Sequence, residues 1–382
     1  MQQNVTTYEK KDSFNELNVI NKRTSVEGQV KRAVQALSND LGESSYRSVL
    51  LKALADLELQ GASKKGSFFI TPFVADEMWT LEDSQIPKYI FHRYRYEMFP
   101  VEKQLDSFPP YLQIEPSSIC NFRCVFCYQT DKSFNTDRVN HMGSMTLDTY
   151  KRVVDMAEGN VEFLSLASRG EPLICKDFNK MMEYSRGKFL NLKVNTNASL
   201  MNEENAHALL SGGAKTIVFS ADAAVEPLYS KLRVNGKLDK VLKNIEMFQN
   251  IRDKHYSAAK VITRVSGVFV SDEQDMDQMV KLWGSLVDQI SFVKYNPWEN
   301  IYDSPETGIS TACSDLWRRM FVWFDGKINP CDTDYKSYLT TGNINENNLT
   351  DIWLGHTYNT LRKKHLEGER KNVSPCKKCS VL

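Results

Sequence analysis

The stretch SSICNFRCVFCYQ, residues 117–129, carries three cysteines within eight positions and no fourth cysteine nearby. These cysteines, Cys120, Cys124 and Cys127, closely follow YLQIEP (111–116), a short run that favours a β-strand. A loop after a strand can hold three thiolates around one face of a [4Fe–4S] cluster and leave one iron open to a small molecule. A zinc site or three unrelated thiols would also fit, so the spacing alone leaves these alternatives open.

Strand-like and helix-like patterns alternate beyond this loop. Five more apolar, β-rich runs occur, with helical spacing of apolar residues between them. The runs are 161–168, 190–197, 215–222, 260–270 and 289–296. With 111–116 they give six strand-then-helix units, which predict parallel strands joined by crossover helices. Such an array collects its chemistry at the carboxyl ends of the strands, whether it closes as a barrel or stays open.

A second group of cysteines occupies the last seventy residues. Its members are Cys313, Cys331, Cys376 and Cys379. A β-hairpin is predicted within MFVWFDGKINPC (320–331), because Asp-Gly at 325–326 is a strong tight-turn signal, and a helix is predicted from about 349 to 365. Four thiolates can complete the coordination of either an iron–sulfur cluster or a structural zinc.

The composition excludes several classes of protein. Lys plus Arg and Asp plus Glu both number 48 among 382 residues, so the net charge of +0 gives no support to nucleic-acid binding. No apolar run approaches the ~18 residues of a membrane span, and the polar start MQQNVTTYEKK lacks the apolar segment of a secretion signal. We therefore expect a cytoplasmic protein with neither membrane nor nucleic-acid partners. In that compartment, closely spaced cysteines favour metal or cluster ligation over disulfides.

Three features in this order resemble the radical S-adenosylmethionine (SAM) superfamily. They are the three-cysteine loop with Phe126 before its last cysteine, SRGEP (168–172) after the second strand, and the C-terminal cysteine group. The resemblance implies an α/β fold with a partial (β/α)6 TIM-like barrel over 110–305. A helical N-terminal extension over 1–109 and a small β-hairpin/helix cluster-binding domain of the twitch or SPASM type over 306–382 complete the expected organisation.

The same resemblance implies the cofactors. An open iron of the first [4Fe–4S] cluster would bind SAM, whose reductive cleavage gives a 5′-deoxyadenosyl radical, with a donor such as flavodoxin or ferredoxin supplying the electron. The second cysteine group would hold an auxiliary [4Fe–4S] cluster. That cluster would accept an electron if the reaction is an oxidation and would be structural if the reaction is redox-neutral.

The family pattern also suggests which residues contact SAM. These are Phe126, Gly170, Glu171, Pro172, Asn197, Ser220 and Asp222. Arg264 is added on its own chemistry, because a buried guanidinium needs a partner and the SAM carboxylate would serve. Each has an ordinary alternative: Gly-Glu-Pro is a common turn, and the three strand-end residues Asn197, Ser220 and Asp222 suit helix caps. Arg264, a charge inside an apolar strand, suits an internal ion pair equally well.

Residues expected near the reaction chamber favour a sugar or nucleotide-sugar substrate. The predicted substrate contacts are Arg169, Asn296, Trp298 and Glu299, and the candidate catalytic residues are Cys175, Lys294 and Tyr295. Amides, an acid and an aromatic ring suit a polyol, and Arg169 or Lys294 could meet phosphates. The reaction would be a dehydrogenation, epimerisation or dehydration, and the pattern is similar to twitch-bearing proteins of surface-polysaccharide gene clusters. A peptide-modifying maturase and a non-enzymatic iron–sulfur or zinc protein remain alternatives, and Cys175 alone would suit a small buried apolar residue.

The resemblance does not reach residues 1–109. Their first ~25 positions are polar and expected to be mobile. Two amphipathic helices are predicted to meet near Gly42, followed by the aromatic and basic strip IPKYIFHRYRYEMFP (86–100). Such a strip can stack nucleotide bases, but an ordinary packed face is favoured.

Overall fold

The computed structural model describes residues 18–19, 23–43, 45–59, 66–135, 141–296 and 299–382. Its strands are β1 (Asn18–Val19), β2 (Tyr111–Ile114), β3 (Arg123–Cys124), β4 (Phe163–Leu166), β5 (Asn191–Thr196), β6 (Ala214–Ser220), β7 (Arg233–Val234), β8 (Ile262–Phe269), β9 (Gln289–Lys294), β10 (Arg319–Val322), β11 (Lys327–Asn329) and β12 (Gly342–Asn343). Its helices are α1 (Val26–Asn39), α2 (Arg47–Glu58), α3 (Pro72–Trp79), α4 (Ile86–Glu102), α5 (Leu147–Ala157), α6 (Phe178–Ser185), α7 (Glu203–Ser211), α8 (Leu228–Leu232), α9 (Leu238–His255), α10 (Met276–Gly284), α11 (Leu349–Trp353) and α12 (His356–Leu366). The predicted mobility of the first ~25 residues falls mostly outside the described part.

Six parallel strands form the centre of the molecule. β2, β4, β5, β6, β8 and β9 adjoin in that order, with helices in the crossovers between them. This is the α/β partial (β/α)6 barrel that the sequence predicts.

The helix α5 illustrates how the sequence forms one crossover. Thr146 caps its first turn by accepting a hydrogen bond from the backbone N–H of Thr149. Tyr150, Val153 and Val154 recur at helical spacing and are fully buried against the sheet. A single apolar face therefore both selects the helix and docks it on the strands.

Both edges of the barrel form strand pairings that the sequence did not indicate. The C-terminal hairpin of β10 and β11 forms as predicted, but β10 also pairs in parallel with β2, with Arg319 opposite Tyr111. At the other edge, β1 pairs antiparallel with β9. A two-residue strand has no readable periodicity, and the β2–β10 pairing joins distant parts of the chain, so neither pairing leaves a local signal.

The N-terminal helices cover the amino end of the barrel strands. Helices α1 to α4 share their own apolar cluster, which includes Phe163, the first residue of β4. The rings of Tyr89 and His92 lie 5.5 and 4.3 Å from that of Phe163. The aromatic and basic strip is thus mostly buried within α4 as a packed face. None of the described helices combines the length and apolar character that crossing a bilayer requires.

Candidate active site and second cysteine site

A chamber of about 420 Å³ opens at the carboxyl ends of the barrel strands. The thiols of Cys120, Cys124 and Cys127 all line it. Five of the predicted SAM contacts also line it. Gly170, Glu171, Asn197 and Ser220 do so at the ends of neighbouring strands, and Phe126 does so from the cysteine loop. The structure therefore brings the cysteine loop and most of the predicted SAM contacts together.

Two sets of contacts hold the cysteine loop over the strand ends. In the first set, the loop strand β3 pairs antiparallel with β7, so Cys124 lies opposite Arg233. Asn121 accepts a hydrogen bond from the Asn197 side chain at 3.0 Å and donates one to the Ser199 hydroxyl at 2.8 Å. These bonds tie the loop directly to the end of β5.

Gly170 lets the Gly-Glu-Pro turn approach the cysteine loop closely. A Cβ atom at this position would lie only 2.4 Å from the carbonyl oxygen of Ile119. The backbone N–H of Glu171 donates to that same carbonyl at 2.9 Å. Glycine is therefore required by close backbone contact here, beyond any general preference for turns. Pro172 begins the short 3₁₀ turn that follows.

Glu171 joins two strand ends through its buried carboxyl group. Its oxygens accept hydrogen bonds from the Thr196 hydroxyl at 2.6 Å, the Asn197 N–H at 2.7 Å and the Leu173 N–H at 3.2 Å. Burial raises the pKa of Glu171 to about 7. Each carboxylate oxygen can accept more than one hydrogen bond, so these three bonds leave room for the SAM ammonium. Contact between Glu171 and that ammonium stays a prediction.

Arg233, which the sequence reading missed, supplies a cation inside the chamber. Its guanidinium pairs with Asp222 at 2.5 Å and lies 3.9 Å from the Cys124 sulfur. Asp222 is fully buried behind Arg233 and also accepts from the Val268 N–H at 2.6 Å. Asp222 therefore acts on the chamber through Arg233 rather than by lining it.

Arg264 lies away from the chamber. Its guanidinium donates to the Gln289 side chain at 2.8 and 2.6 Å and sits 4.8 Å from the ring centre of Phe73 in α3. The Gln289 side chain in turn donates to Asp76 of the same helix. The internal polar network, rather than a SAM contact, is the arrangement that this arginine adopts.

The side chains of Cys175 and Arg169 are also engaged in contacts within the protein. Cys175 is 3% exposed, belongs to the main apolar cluster and does not line the chamber, so the small-apolar-residue alternative describes it. Arg169 borders the chamber, but its guanidinium forms a two-point pair with fully buried Glu115 at 2.7 and 2.6 Å. A further bond reaches the carbonyl oxygen of Tyr335 at 2.8 Å, and the guanidinium lies 4.2 Å from the ring centre of Trp323. These contacts occupy the group that was expected to meet a phosphate.

The segment after β9 packs towards the C-terminal cysteines. Lys294 is exposed, and the Tyr295 hydroxyl donates to Glu299. Asn296 accepts a hydrogen bond from Ser380 at 3.0 Å. None of these four residues lines the described chamber, and Trp298 lies outside the described residues.

A row of polar side chains forms part of the chamber wall below the cysteines. Gln113, Ser165 and Lys193 are register partners on the adjacent strands β2, β4 and β5, and all three line the chamber. Burial, then the charges of Arg264 and Arg319, lower the pKa of Lys193 to about 7. A lysine alternating with Asn195 and Asn197 along an apolar strand was a signal that the sequence reading passed over.

The four C-terminal cysteines line one compact cavity. Cys313 lies before the hairpin, Cys331 after it, and Cys376 and Cys379 on the final turn. Apolar side chains complete much of the wall, together with His365 of α12. Burial raises the pKa of Cys120 in the first site to about 12 and that of Cys376 above its usual value, so in both sites metal binding must displace thiol protons.

Both sets of donors fit iron–sulfur clusters. Among the described residues, no three His, Cys, Asp or Glu side chains converge as ligands of a single metal ion. A four-iron cluster instead binds each thiolate at a different iron, so that finding leaves the cluster assignment unaffected. Three thiols facing a chamber fit a cluster with an open iron, and four thiols around one compact cavity fit a fully ligated cluster.

Comparison with known protein families matches two consecutive parts of the chain. Residues 114–282 match the radical SAM superfamily, and residues 313–380 match the SPASM iron–sulfur cluster-binding domain. An α/β partial barrel with this site defines the class, and the chain belongs to the radical SAM superfamily with a C-terminal SPASM-type domain. These domains imply a SAM-binding [4Fe–4S] cluster and an auxiliary cluster.

The relatives that match this chain are enzymes, and their names refer to different substrates. GTP 3′,8-cyclase of Clostridium botulinum (strain Okra / Type B1) is 27% identical over 220 residues, covering 54% of this chain and 64% of the cyclase. S-adenosyl-L-methionine-dependent 2-deoxy-scyllo-inosamine dehydrogenase of Niallia circulans is 21% identical over 274 residues, covering 70% of this chain and 92% of the dehydrogenase. The chain spans 64% of the length of the first cyclase and 56% of the length of a second Clostridium botulinum cyclase.

A solved structure supports the fold. Streptococcus suis SuiB bound to S-adenosylmethionine matches with a TM-score of 0.54 at 17% identity, covering 92% of this chain and 88% of SuiB. At this identity the likeness concerns the fold alone.

Proposed function

We propose that this radical SAM enzyme abstracts hydrogen from a small hydroxylated substrate, a sugar or nucleotide-sugar, in a dehydrogenation, epimerisation or dehydration. The observation that carries the proposal is the polar row of Gln113, Ser165 and Lys193 below the three cysteines. An electron donor such as flavodoxin or ferredoxin is part of the proposal.

The spacing of the row suits a polyhydroxylated ring. Adjacent strands lie about 4.8 Å apart, which is comparable to the separation of equatorial hydroxyl oxygens on alternate ring carbons. An amide, a hydroxyl and an amine together offer both donors and acceptors to such hydroxyls. A chamber of this size and few convergent polar groups is typical of small-molecule sites.

Lys193 has the properties of a base for a substrate hydroxyl. When bound, the cluster and SAM supply the 5′-deoxyadenosyl radical that removes a hydrogen atom from carbon. With a pKa of about 7, the Lys193 amine is neutral in an appreciable fraction of molecules at neutral pH and can accept the hydroxyl proton. Arg233 and its partner Asp222 keep a fixed cation next to Cys124, where anionic groups of a cofactor would be held.

One relative agrees with this substrate class. The Niallia circulans dehydrogenase is named for 2-deoxy-scyllo-inosamine, a hydroxylated ring. We infer by analogy that a ring of this type suits the present chamber.

The test is substrate-dependent formation of 5′-deoxyadenosine by the anaerobically reconstituted protein. Nucleotide-sugars, free cyclitols and precursor peptides are compared with a substrate-free reaction, with SAM and dithionite present. A sugar or cyclitol should raise 5′-deoxyadenosine, transfer deuterium from a labelled carbon into it, and yield a product lacking two hydrogens, isomeric, or lacking water. Stimulation by peptides alone would instead establish a peptide maturase and contradict the proposal.

Metal analysis tests the remaining alternative. Two four-iron clusters predict about eight iron atoms per chain. Zinc with little iron would contradict the enzymatic proposal altogether.

A further inference from the structure

His365 lies against the second cysteine site without being one of its cysteines. It is in the last turn of α12, 2% exposed, and lines the same cavity as Cys313, Cys331, Cys376 and Cys379. Nothing in the cysteine count requires a histidine here, since four thiolates already complete the ligands of a cluster.

One ring nitrogen of His365 is fixed by the backbone. Nδ1 accepts a hydrogen bond from the backbone N–H of Cys313 at 3.2 Å. A nitrogen that accepts carries no proton, so the neutral ring must carry its proton on Nε2. His365 is therefore locked in the tautomer whose Nε2–H is a donor.

Among the described residues, this N–H donor has no acceptor. Nε2 of His365 is buried and makes no hydrogen bond to any described residue. A buried N–H normally finds a partner, because leaving one unsatisfied is costly. Besides His365, the wall carries the polar side chains of Asp315, Thr333 and Arg370. Arg370 is directed to the carbonyl oxygens of Thr311, Cys379 and Val381, and Asp315 pairs with Arg318 at 3.0 Å.

We propose that Nε2–H of His365 donates a hydrogen bond to a sulfur atom of the auxiliary cluster and raises its reduction potential. Donors to cluster sulfurs favour the reduced, more negative state, and outer hydrogen bonds are a general means of tuning a metal centre. Ligation of iron by Nε2 is disfavoured, because it would move the ring proton to Nδ1 and set it against the Cys313 N–H.

The test isolates the auxiliary cluster in the full-length chain. In a C120A/C124A/C127A background, H365L is compared with the parent by a redox titration monitored by EPR. The matched control is H356L, since His356 is an exposed histidine on the same helix. H365L should shift the midpoint potential to more negative values with an unchanged iron content, while H356L should leave it in place. An unchanged potential in H365L would overturn the proposal.

A second measurement covers loss of the cluster in H365L. In the reduced parent labelled with ¹⁵N-histidine, pulsed EPR should detect a weak nitrogen coupling, as transmitted through a hydrogen bond. The coupling should persist in H356L. A strong coupling typical of direct iron coordination, or no coupling at all, would overturn the proposal.

Discussion

The two cysteine sites differ in surroundings more than in ligand chemistry. Cys120, Cys124 and Cys127 face a polar chamber at the ends of the strands, with Arg233 beside them. The four C-terminal cysteines surround a compact cavity with a largely apolar wall. The comparison teaches that the same thiolate ligands suit different purposes according to their number and surroundings: three thiols beside a polar chamber leave an iron and space for a ligand, whereas four thiols with an apolar wall leave no iron open.

The largest expected effect is the loss of the first site. C120A/C124A/C127A should form no 5′-deoxyadenosine with dithionite and SAM, because each thiolate holds one corner of the cluster. About four iron atoms per chain should remain, as measured by anaerobic iron analysis. C175A is the matched control, since this cysteine is buried away from the chamber, and it should still cleave SAM. Cleavage by the triple variant would disprove the assignment of the open site.

Replacing Lys193 tests whether the chamber does chemistry beyond holding SAM. K193M should lower kcat/KM for the substrate by about 10²–10⁴-fold, the usual contribution of a general base. Because burial lowers the pKa of Lys193 to about 7, the amine is charged below this pH and neutral above it. With SAM saturating, so that ionisation of Glu171, whose pKa is also about 7, does not limit the rate, the wild-type kcat/KM for the substrate should rise with pH through about 7. This step should vanish in K193M.

The control for Lys193 is K294M, which removes an exposed lysine at the end of β9. It should retain both the rate and the pH step. A K193M protein with a normal pH profile would assign Lys193 a purely structural role.

Opening the second site should separate SAM cleavage from product formation. C376A/C379A should lose about four iron atoms per chain and still cleave SAM to some degree. Product formation should fall about a hundred-fold, the upper end of the loss caused by altering even the outer partners of a metal site. The 5′-deoxyadenosine from SAM cleavage and the product are both measured by chromatography of the same reaction.

The complete ligation of the auxiliary cluster has its own check. In C120A/C124A/C127A, added SAM should leave the EPR spectrum of the auxiliary cluster unchanged. A perturbed spectrum would mean that this cluster also has an open iron, and the contrast between the two sites would disappear.

The smallest predicted effect concerns SAM affinity. E171A should weaken SAM binding by about ten- to a hundred-fold, since a charge-assisted hydrogen bond contributes about 1.5–3 kcal/mol. E183A, which removes an exposed glutamate of α6, should bind SAM normally under the same anaerobic calorimetry. Unchanged affinity in E171A would leave Gly-Glu-Pro with only the turn and the strand-end contacts described above.

Local patterns made much of the fold predictable. The runs 161–168 and 260–270 were predicted as strands and contain β4 (Phe163–Leu166) and β8 (Ile262–Phe269). An apolar, β-rich run between helical stretches is compatible with few other structures. The hairpin turn was equally local, with Gly326 at a φ of 82°. The pairing of β10 with β2 required knowledge of how distant segments meet, which no single run contains.

The site was less predictable, and two charged residues explain why. Lys193 and Arg264 carry the same signal, a cation inside an apolar strand. Only the tertiary contacts separate them, since Arg264 meets Gln289 and Phe73 while Lys193 faces the chamber. Arg233 gave no pattern at all, because the short β3–β7 pairing brings it to Cys124.

The pairing of β10 with β2 has a consequence for the order in which this molecule is made. The strand that leads into the three-cysteine loop exposes one hydrogen-bonding edge until the chain beyond Val322 has left the ribosome. Open strand edges invite pairing with other chains, and contacts between distant segments form slowly. The newly made barrel therefore passes through a stage that is vulnerable to aggregation, which ends when the C-terminal hairpin docks. A substitution that prevents the hairpin from docking would therefore affect the first cysteine site while the protein is being made, before any catalysis takes place.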